Sequence, residues 1–491
     1  MKRSSGIILH ISSLPSPCGI GCLGAEAYEF VDFLERAGQT YWQILPLGPT
    51  GFRDSPYQSF SAFAGNPYLI DLRELVQKGW LPQSALDAAD WGRDPSRVDF
   101  GLQYQVRTGV LRQAYDGFCG SEPADYLDFC RTEAHWLEDY CLFRALKERF
   151  GGEPWTQWEP PLRNRHPGAL KQAAAELSHE IGFHRFMQYC FYRQWEQLHA
   201  YARSKGIKII GDIPIYVPMD SADVWAAPQN FQLTRTRRPR CVAGCPPDIF
   251  NRTGQYWGHP IYDWEKMEQD GFSWWLRRVE ASSRLYDVIR IDHFRGLESY
   301  WSIPGRNRTA RVGQWVKGPG MKLLGKIKEA FPNTEFIAED LGYPTPEVQR
   351  LVADFGFPGM KVLQFAFDDG HENDDQPHRY HENCACYTGT HDNDTLRGFL
   401  ESRSSEQLGW IRTYLGREDA LADGLLLAGM NSCATLFISQ MQDWLDLSSD
   451  CRMNEPGKCN DVNWRWRMLP GSLTGELTQR MRNMTRSTAR I

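Results

Sequence analysis

A charged pair follows an apolar run in the middle of the chain. Residues 290–293 read Arg-Ile-Asp-His and come directly after Val-Ile at 288–289. Alternate side chains of a strand point to the same side, so we expect Arg290 and Asp292 to be neighbours. A guanidinium beside a carboxylate lowers the pKa of the carboxyl group, which suits a nucleophile or an electrostatic stabiliser. A structural ion pair would leave the same pattern, so this segment alone leaves both interpretations open.

Three further carboxylates follow apolar runs in the same way: Asp212, Glu339 and Asp392. In a barrel of parallel strands, the C-terminal strand ends meet at one rim, where side chains are typically catalytic. Four carboxylates at one rim repel each other, and packing gives no reason for such crowding. The set therefore predicts an active site.

Carboxylates without Cys or His ligand spacing suit two kinds of chemistry. Metal binding needs oxygen ligands, and the nearest candidate is His-Asp-Asn-Asp at 391–394. Cleavage of a glycosidic bond needs one ionised carboxylate and one protonated carboxyl group. Arg290 would keep Asp292 ionised, whereas Glu339 follows the apolar residues 336–338 and burial would raise its pKa. This asymmetry favours glycoside chemistry.

The elements that must position these residues alternate between strand and helix. Near-continuous apolar runs are typical of parallel strands covered on both faces. The eight candidate strands are 6–10, 41–45, 207–213, 288–292, 335–339, 360–367, 385–390 and 434–440. Helical patterns at 322–330 and 346–354 lie between strands, which indicates βα units. We predict an α/β fold, a closed (β/α)8 TIM barrel rather than an open doubly wound sheet, forming one catalytic unit over 1–491.

Two long segments interrupt the alternation. Residues 72–205 are predicted to be a mostly helical insertion, in which aromatic residues recur every three or four positions as packing faces. Residues 218–285 are rich in Pro, Gly and Trp and are predicted to be a loop-rich insertion. Because long loops after barrel strands build the site face, we expect the second insertion to form part of a substrate cleft.

Composition excludes several classes of function. Lys plus Arg is 55 and Asp plus Glu is 61, for a net charge of −6, so we expect no nucleic-acid partner. No apolar run reaches the roughly 18 residues that span a bilayer, and the N-terminus lacks a signal-like apolar stretch. The 13 cysteines suit reduced thiols in the cytoplasm, and their close pairs lack zinc-site spacing. We expect no metal and no cofactor.

The sequence resembles glycoside hydrolase family 77, the 4-α-glucanotransferases of the α-amylase clan, from Ser4 almost to the C-terminus. The segments that carry the resemblance are 12–17 (SSLPSP), 54–67 (DSPYQSFSAFAGNP), 211–214 (GDIP), 290–296 (RIDHFRG), 338–342 (AEDLG), 390–394 (THDND) and 463–467 (NWRWR). Two segments depart from the family pattern, 10–13 (HISS) and 454–459 (NEPGKC). The second leaves the preferred glucan length in doubt.

The resemblance implies a (β/α)8 barrel that acts on α-1,4-glucans and maltooligosaccharides, with glucose as a further acceptor. It implies that Asp292 is the nucleophile, Glu339 the general acid and base, and Asp392 the stabiliser of the distorted sugar. The sugar contacts that it implies are Ser55, Tyr57, Asp212, Asp248, Gln255, Trp257, Arg290, His293, His391 and Asn463.

The expected mechanism is a retaining double displacement, which requires the carboxyl groups of Asp292 and Glu339 to lie about 5 to 5.5 Å apart. Two alternatives remain at this level. A glucan hydrolase would use the same carboxylates, and a glucan-binding protein without activity would need them only as hydrogen-bond acceptors.

Overall fold

The computed structural model describes residues 2–247, 252–342, 345–368, 372–458 and 460–491. In chain order its strands are β1 Ser4–Ile8, β2 Tyr41–Gln43, β3 Lys208–Pro214, β4 Cys241–Cys245, β5 Gln255–Pro260, β6 Val288–Asp292, β7 Ser299–Pro304, β8 Gln314–Lys317, β9 Glu335–Ala338, β10 Gly359–Val362, β11 Cys384–Tyr387 and β12 Leu436–Gln440.

Eight of these strands close into a barrel. The order around the barrel is β1, β12, β11, β10, β9, β6, β3 and β2, and the neighbours pair in parallel. These are the eight strands predicted from the apolar runs, so the (β/α)8 fold is confirmed. The run at 360–367 stays a strand only to Val362 and continues as a 3-10 helix, Leu363–Phe367. Burial on both faces explains the continuous apolar runs: every residue of β11 and β12 is buried.

Helices connect the strands and cover the barrel. They are α1 Ala25–Arg36, α2 Leu72–Gln77, α3 Gln83–Asp87, α4 Phe100–Leu102, α5 Thr108–Phe118, α6 Ala124–Thr132, α7 Ala134–Arg149, α8 Pro160–Arg163, α9 Pro167–Glu176, α10 Ser178–Ser204, α11 Ala222–Ala226, α12 Trp264–Gln269, α13 Ser273–Leu285, α14 Met321–Ala330, α15 Pro346–Phe355, α16 Leu396–Glu401, α17 Ser405–Leu415, α18 Leu421–Asn431, α19 Met441–Trp444 and α20 Gly475–Ser487.

The segment between β2 and β3 contains helices α2 to α10. The aromatic stripes predicted from the sequence pack inward here: Trp136, Tyr140 and Phe143 of α7 are buried, as are Phe183 and Trp195 of α10. Helix α10 is 27 residues long and leads directly into β3. These aromatic side chains therefore contribute to the core rather than to a ligand site.

A second sheet lies outside the barrel, in the order β5, β4, β7, β8, with antiparallel pairing. Its strands β4 and β5 fall within 218–285, where the turn chemistry indicates loops. Strands β7 and β8 follow the barrel strand β6, so the sheet joins two segments that are distant in sequence. The sheet places Gln255 and Trp257 of β5 beside the C-terminal end of the barrel.

The N-terminal end of the barrel is closed by two arginines. Arg490 is buried and donates to the carbonyl oxygens of Ser4 (2.8 Å), Met430 (2.7 Å) and Ala434 (3.0 Å). Arg3 donates to the carbonyl oxygens of Met430 (2.9 Å) and Ser432 (2.8 Å). Because β1 and β12 start here, these bonds join the first and last barrel strands. No helix of the described residues is long and apolar enough to cross a bilayer.

Candidate active site

A cleft of about 750 Å³ opens at the C-terminal end of the barrel strands. Ten of the residues predicted for the site line it: Ser55, Tyr57, Gln255, Trp257, Arg290, Asp292, His293, Glu339, His391 and Asp392. They come from β5, β6 and the loops after β2, β9 and β11, which are distant in sequence. Convergence at this face agrees with the position of active sites in such barrels.

Arg290 joins two of the carboxylates. Its Nη1 lies 3.1 Å from Asp292 Oδ1 and 2.6 and 2.7 Å from the two oxygens of Asp212. The predicted contact between Arg290 and Asp292 on one face of the strand is therefore present. Asp212, one strand away on β3, is the closer partner, and it also accepts a hydrogen bond of 2.6 Å from the Tyr57 hydroxyl.

Glu339 follows β9 and accepts two backbone hydrogen bonds. The N–H of His293 donates to Oε2 at 2.6 Å, and the N–H of Leu341 donates to Oε1 at 3.2 Å. His293 directs its N–H there because its backbone is left-handed, with φ of 49°. A non-glycine residue in this conformation is strained, and such strain is concentrated at functional sites. The turn after β6 thus connects the strand of Asp292 to Glu339.

Burial raises the pKa of Asp292 and that of Glu339. The pKa of Asp292 is raised to about 7 by burial, against the lowering effect of Arg290, with further raising from Asp212 and Asp392. Burial raises the pKa of Glu339 to about 8, with Arg290 lowering it and Asp292 raising it. The expected lowering of the pKa of Asp292 is therefore wrong in sign, because desolvation outweighs the guanidinium. The expected raising of the pKa of Glu339 is correct.

The surroundings of Asp292 favour the ionised carboxylate more than those of Glu339 do, as a nucleophile and a general acid require. Asp292 has a guanidinium within hydrogen-bond distance and keeps 27% of its side chain exposed, so solvent offsets part of its burial. Among the described residues, the donors to Glu339 are the backbone N–H groups of His293 and Leu341. Because charge-assisted hydrogen bonds stabilise an anion more than neutral donors do, Asp292 ionises before Glu339.

Asp392 is held by a neighbour that the sequence patterns did not reveal. Asn454 Nδ2 donates to Asp392 Oδ1 at 2.6 Å, and the N–H of Asn454 donates to the carbonyl oxygen of His391 at 3.1 Å. His391 Nε2 lies 3.3 Å from the same Oδ1. Arg452 donates to the carbonyl oxygen of Asp392 at 2.5 Å. The chain after Arg452 therefore fixes both the backbone and the carboxylate of Asp392.

A second residue that sequence reasoning missed, Asp443, holds the base of the loop that carries Asp392. Asp443 Oδ2 accepts from the Thr388 hydroxyl at 2.5 Å, and Oδ1 accepts from the N–H of Leu396 at 2.8 Å. Thr388 is the first residue of the loop between β11 and α16, and Leu396 is the first residue of α16. Asp443 is 3% exposed and lies behind the cleft. Burial raises its pKa to about 7, with hydrogen bonds from Thr388 and Leu396 lowering it.

Aromatic side chains form the walls of the cleft. The ring of Tyr57 stacks on His391, with centroids 5.0 Å apart and planes at 19°, and Trp464 lies 5.8 Å from both rings. On the other side, Trp257 packs edge-on against His293 at 4.8 Å. Flat apolar faces with polar groups between them suit sugar rings.

Two of the predicted sugar contacts, Asp212 and Asn463, do not line the cleft. Asp212 lies behind it, with its carboxylate occupied by Arg290 and Tyr57. The side chain of Asn463 closes its own loop, accepting from the N–H of Glu455 and donating to the carbonyl oxygens of Glu455 and Lys458. Asp248 lies outside the described residues.

The metal alternative at 391–394 lacks a free carboxylate at Asp394, whose oxygens accept from Thr395 N–H at 2.8 Å and from the Ser449 hydroxyl at 2.6 Å. Over the described part of the chain, no group of three or more His, Cys, Asp or Glu side chains is arranged to hold a metal ion.

A TIM barrel with these carboxylates and aromatic walls at its C-terminal end defines a class, the barrel enzymes that act on glycosidic bonds. Comparisons specify the family. The sequence model of glycoside hydrolase family 77, described as 4-alpha-glucanotransferase, matches residues 9–473. The 4-alpha-glucanotransferase of Thermus thermophilus is 49% identical, with both chains covered fully. The chloroplastic/amyloplastic 4-alpha-glucanotransferase of Solanum tuberosum is 42% identical, covering 96% of this chain and 83% of its own.

Solved structures agree with the sequence comparisons. The amylomaltase of Streptococcus agalactiae in complex with acarbose superimposes with a TM-score of 0.97, at 41% identity and full coverage of both chains. The amylomaltase of Corynebacterium glutamicum gives a TM-score of 0.81 at 20% identity, covering 98% of this chain and 75% of its own, which supports the fold. The chain belongs to glycoside hydrolase family 77. Its activity is that of a 4-α-glucanotransferase, a hexosyltransferase-type enzyme.

Proposed function

We propose that the chain moves a segment of an α-1,4-glucan to the 4-hydroxyl of another glucan or of glucose, and that Asp292 is the nucleophile. The observation that carries this proposal is the unequal environment of two carboxyl groups in one cleft. Asp292 is hydrogen-bonded to the Arg290 guanidinium at 3.1 Å, whereas Glu339 accepts from the backbone N–H groups of His293 and Leu341. One group is therefore suited to attack as an anion and the other to hold a proton.

The first half of the reaction forms a covalent intermediate. An Asp292 oxygen attacks the anomeric carbon of the donor, the bond from that carbon to the glycosidic oxygen breaks, and Glu339 gives its proton to the leaving oxygen. The carboxyl groups of Asp292 and Glu339 are expected to lie about 5 to 5.5 Å apart, because a wider gap accommodates the water of an inverting reaction.

The second half returns both groups to their starting state. The 4-hydroxyl of the acceptor attacks the anomeric carbon, its proton passes to Glu339, and the bond to Asp292 breaks. Asp392, fixed by Asn454 at 2.6 Å, lies beside the sugar and stabilises the positive charge of the transition state. In the same transition state, Arg290 offsets the negative charge of Asp292, and Asp392 offsets the positive charge of the sugar.

The aromatic walls favour a glucan acceptor over water. Tyr57 and Trp464 lie on one side of the cleft, and Tyr256 and Trp257 lie on the other. A sugar ring held between such faces is oriented for attack and displaces solvent. Sugar units on both sides of the reacting carbon would pack against these aromatic rings.

Incubation with maltotriose separates this proposal from the hydrolase alternative. Transfer gives glucose and longer oligosaccharides while the number of reducing ends stays constant, whereas hydrolysis raises that number steadily. The Asp292→Asn variant controls for contaminating activity. A steady rise in reducing ends with no oligosaccharide longer than maltotriose would contradict the proposal.

We also propose a cytoplasmic location and one catalytic unit over 1–491, with 72–205 and 218–285 as insertions in the barrel. Eleven cysteines among the described residues, those other than Cys245, form no disulfide, which supports the location.

A further inference from the structure

The second sheet carries a concentration of arginines that glucan transfer does not use. Residues 224–247 and 299–328 contain no Asp or Glu, although the whole chain has a net charge of −6. We call the seven arginines of these segments the arginine surface: Arg235, Arg237, Arg238, Arg240, Arg306, Arg308 and Arg311. All but Arg237 are exposed.

The two segments adjoin in the fold. Strand β4 pairs with β7, so Cys241 faces Pro304, and the N–H of Gly305 donates to the carbonyl oxygen of Arg240 at 2.8 Å. Residues 235–240 and 306–311 therefore lie at the same end of the sheet. Their like charges add to a positive field in a chain that is otherwise acidic.

Carboxylates do not neutralise this field. Over the described residues, none of the seven arginines forms an ion pair with a carboxylate, unlike arginines such as Arg73, Arg165 and Arg284. The bonds that are present use neutral acceptors: Arg237 Nε contacts Asn164 Oδ1 at 3.4 Å, and Arg240 Nε contacts the carbonyl oxygen of Leu233 at 3.1 Å. The guanidinium groups are thus available to an external anion.

The arginine surface continues to the edge of the cleft. The N–H of Ala310, between Arg308 and Arg311, donates to the carbonyl oxygen of Thr253 at 3.1 Å. A side chain at Gly254 would come within 2.8 Å of Ala310 Cβ, so the two loops are in close contact. Thr253 and Gly254 line the cleft. A glucan that leaves the cleft on this side passes next to the arginines.

A partly exposed tryptophan lies beside the arginines. Trp315 of β8 is 41% exposed, lies 5.4 Å from Trp301, and has the Arg295 guanidinium 4.0 Å from its ring. The Arg295 guanidinium covers a face of this ring, so the arginines are the groups here that recognise a ligand, since guanidinium groups bind phosphate through paired hydrogen bonds. The combination fits a sugar polymer that carries negative charge.

We propose that the arginine surface binds α-glucans whose hydroxyls carry phosphate monoesters. An uncharged glucan gives no reason for seven unneutralised cations at the edge of its cleft, whereas a phosphorylated glucan brings dianions to that position. The inference rests on the proposed function for the identity of the polymer. It extends that function by naming a class of substrate.

The experiment compares one glucan in two states, phosphorylated and treated with a phosphatase. The test variant replaces three arginines, Arg306→Gln, Arg308→Gln and Arg311→Gln. A matched control replaces three exposed arginines outside the second sheet, Arg93→Gln, Arg277→Gln and Arg350→Gln. The KM for each glucan is measured at low and high salt, and binding without turnover is measured by affinity electrophoresis in gels that contain either glucan.

We expect the unsubstituted protein and the control to have a KM roughly threefold to tenfold lower for the phosphorylated glucan at low salt, with retardation in that gel. The test variant and high salt should abolish this preference and leave the KM for the treated glucan unchanged. Equal KM values and equal mobilities with both glucans would overturn the inference. Retention on RNA that the test variant loses, without any preference for the phosphorylated glucan, would also overturn it and assign the surface to a nucleic acid. If maltotriose is not disproportionated, the proposed function fails, and the gels still decide this inference.

Discussion

The two ends of the barrel bury charge in different ways. At the N-terminal end, the guanidinium of Arg490 is surrounded by carbonyl oxygens of Ser4, Met430 and Ala434. Met430 lies in the last turn of α18, where the helix dipole favours a cation. The buried charge therefore has the partners that it needs, and the result is a stable closure of the barrel.

At the C-terminal end, carboxylates face each other. Burial raises the pKa of Asp292 and of Glu339, Asp212 and Asp392 add to the rise at Asp292, and Asp292 adds to it at Glu339, against the lowering effect of Arg290. This arrangement costs stability in the empty enzyme and leaves anions directed at a cleft. Buried charge therefore stabilises the barrel where hydrogen-bond acceptors surround it, as at Arg490. It is available for chemistry where carboxylates lie close together, as in the cleft.

The Asp292→Asn variant tests this difference between the two ends of the barrel, and we expect the largest effect from it. We expect kcat to fall by about 10⁴-fold or more, because the nucleophile is lost. The folded pKa of Asp292, about 7, exceeds the ordinary value of about 3.9, so its ionisation destabilises the fold progressively as the pH rises from about 4 to 7. The variant should therefore unfold at a higher temperature than the unsubstituted protein at pH 8, with the gap closing towards pH 4. A variant that is less stable at pH 8 would show that Asp292 stabilises the fold.

Asp443→Leu tests whether a buried charge at this end acts by positioning. The substitution leaves the N–H of Leu396 and the hydroxyl of Thr388 without their acceptor, so the loop that carries Asp392 should shift. A shift of about 1 Å can cost about 10²-fold in kcat, with a smaller effect on KM. Asp443→Asn, which keeps an acceptor for Leu396, should restore most of the rate. Loss of stability with an unchanged kcat would assign Asp443 a structural role only.

The pH dependence of kcat/KM reports the ionisation of Asp292 and Glu339. Asp292 must be ionised to attack, so the rate should fall about tenfold per unit below its pKa of about 7. Glu339 must be protonated to act as an acid, so the rate should fall above about 8. We expect a narrow bell whose limbs belong to the interacting pair. A profile that stays flat from pH 5 to 7 would contradict the raised pKa of Asp292.

Arg490→Met should have the smallest effect on activity. Removal of the guanidinium leaves several buried carbonyl oxygens without donors, which should lower the free energy of unfolding by about 3 kcal/mol. Below the unfolding transition, kcat should match that of the unsubstituted protein. Chemical denaturation and maltotriose assays on the same preparation measure both quantities. A parallel fall in kcat would remove the distinction between the two ends.

The barrel could be predicted from the sequence because parallel strands buried on both faces leave continuous apolar runs. The carboxylates could be predicted because each stands at the end of such a run. The same pattern could have identified Asp443, which lies three residues after β12. Strands β4 and β5 escaped prediction because both are short and contain Gly, and because β4 depends on pairing with β7, about 60 residues along the chain.

Long-range geometry accounts for the other differences. Asn454 and Asp392 are 62 residues apart, so no local spacing indicates their contact. Asn463 matches a family segment, yet its amide bonds within its own loop. The sign of the pKa shift of Asp292 needed the degree of burial, which the neighbouring Arg290 does not reveal.

The central claim is that Asp292 forms a covalent bond to the sugar, and mass spectrometry tests it directly. The Glu339→Gln variant is mixed with α-maltosyl fluoride, whose leaving group needs no acid, and is digested after rapid quenching. Without its general base the variant cannot readily activate an acceptor, so the intermediate should accumulate. We expect a maltosyl group on the peptide that contains Asp292. Modification of Asp212 or Asp392 instead, or consumption of the fluoride with no adduct and with inverted product, would contradict it.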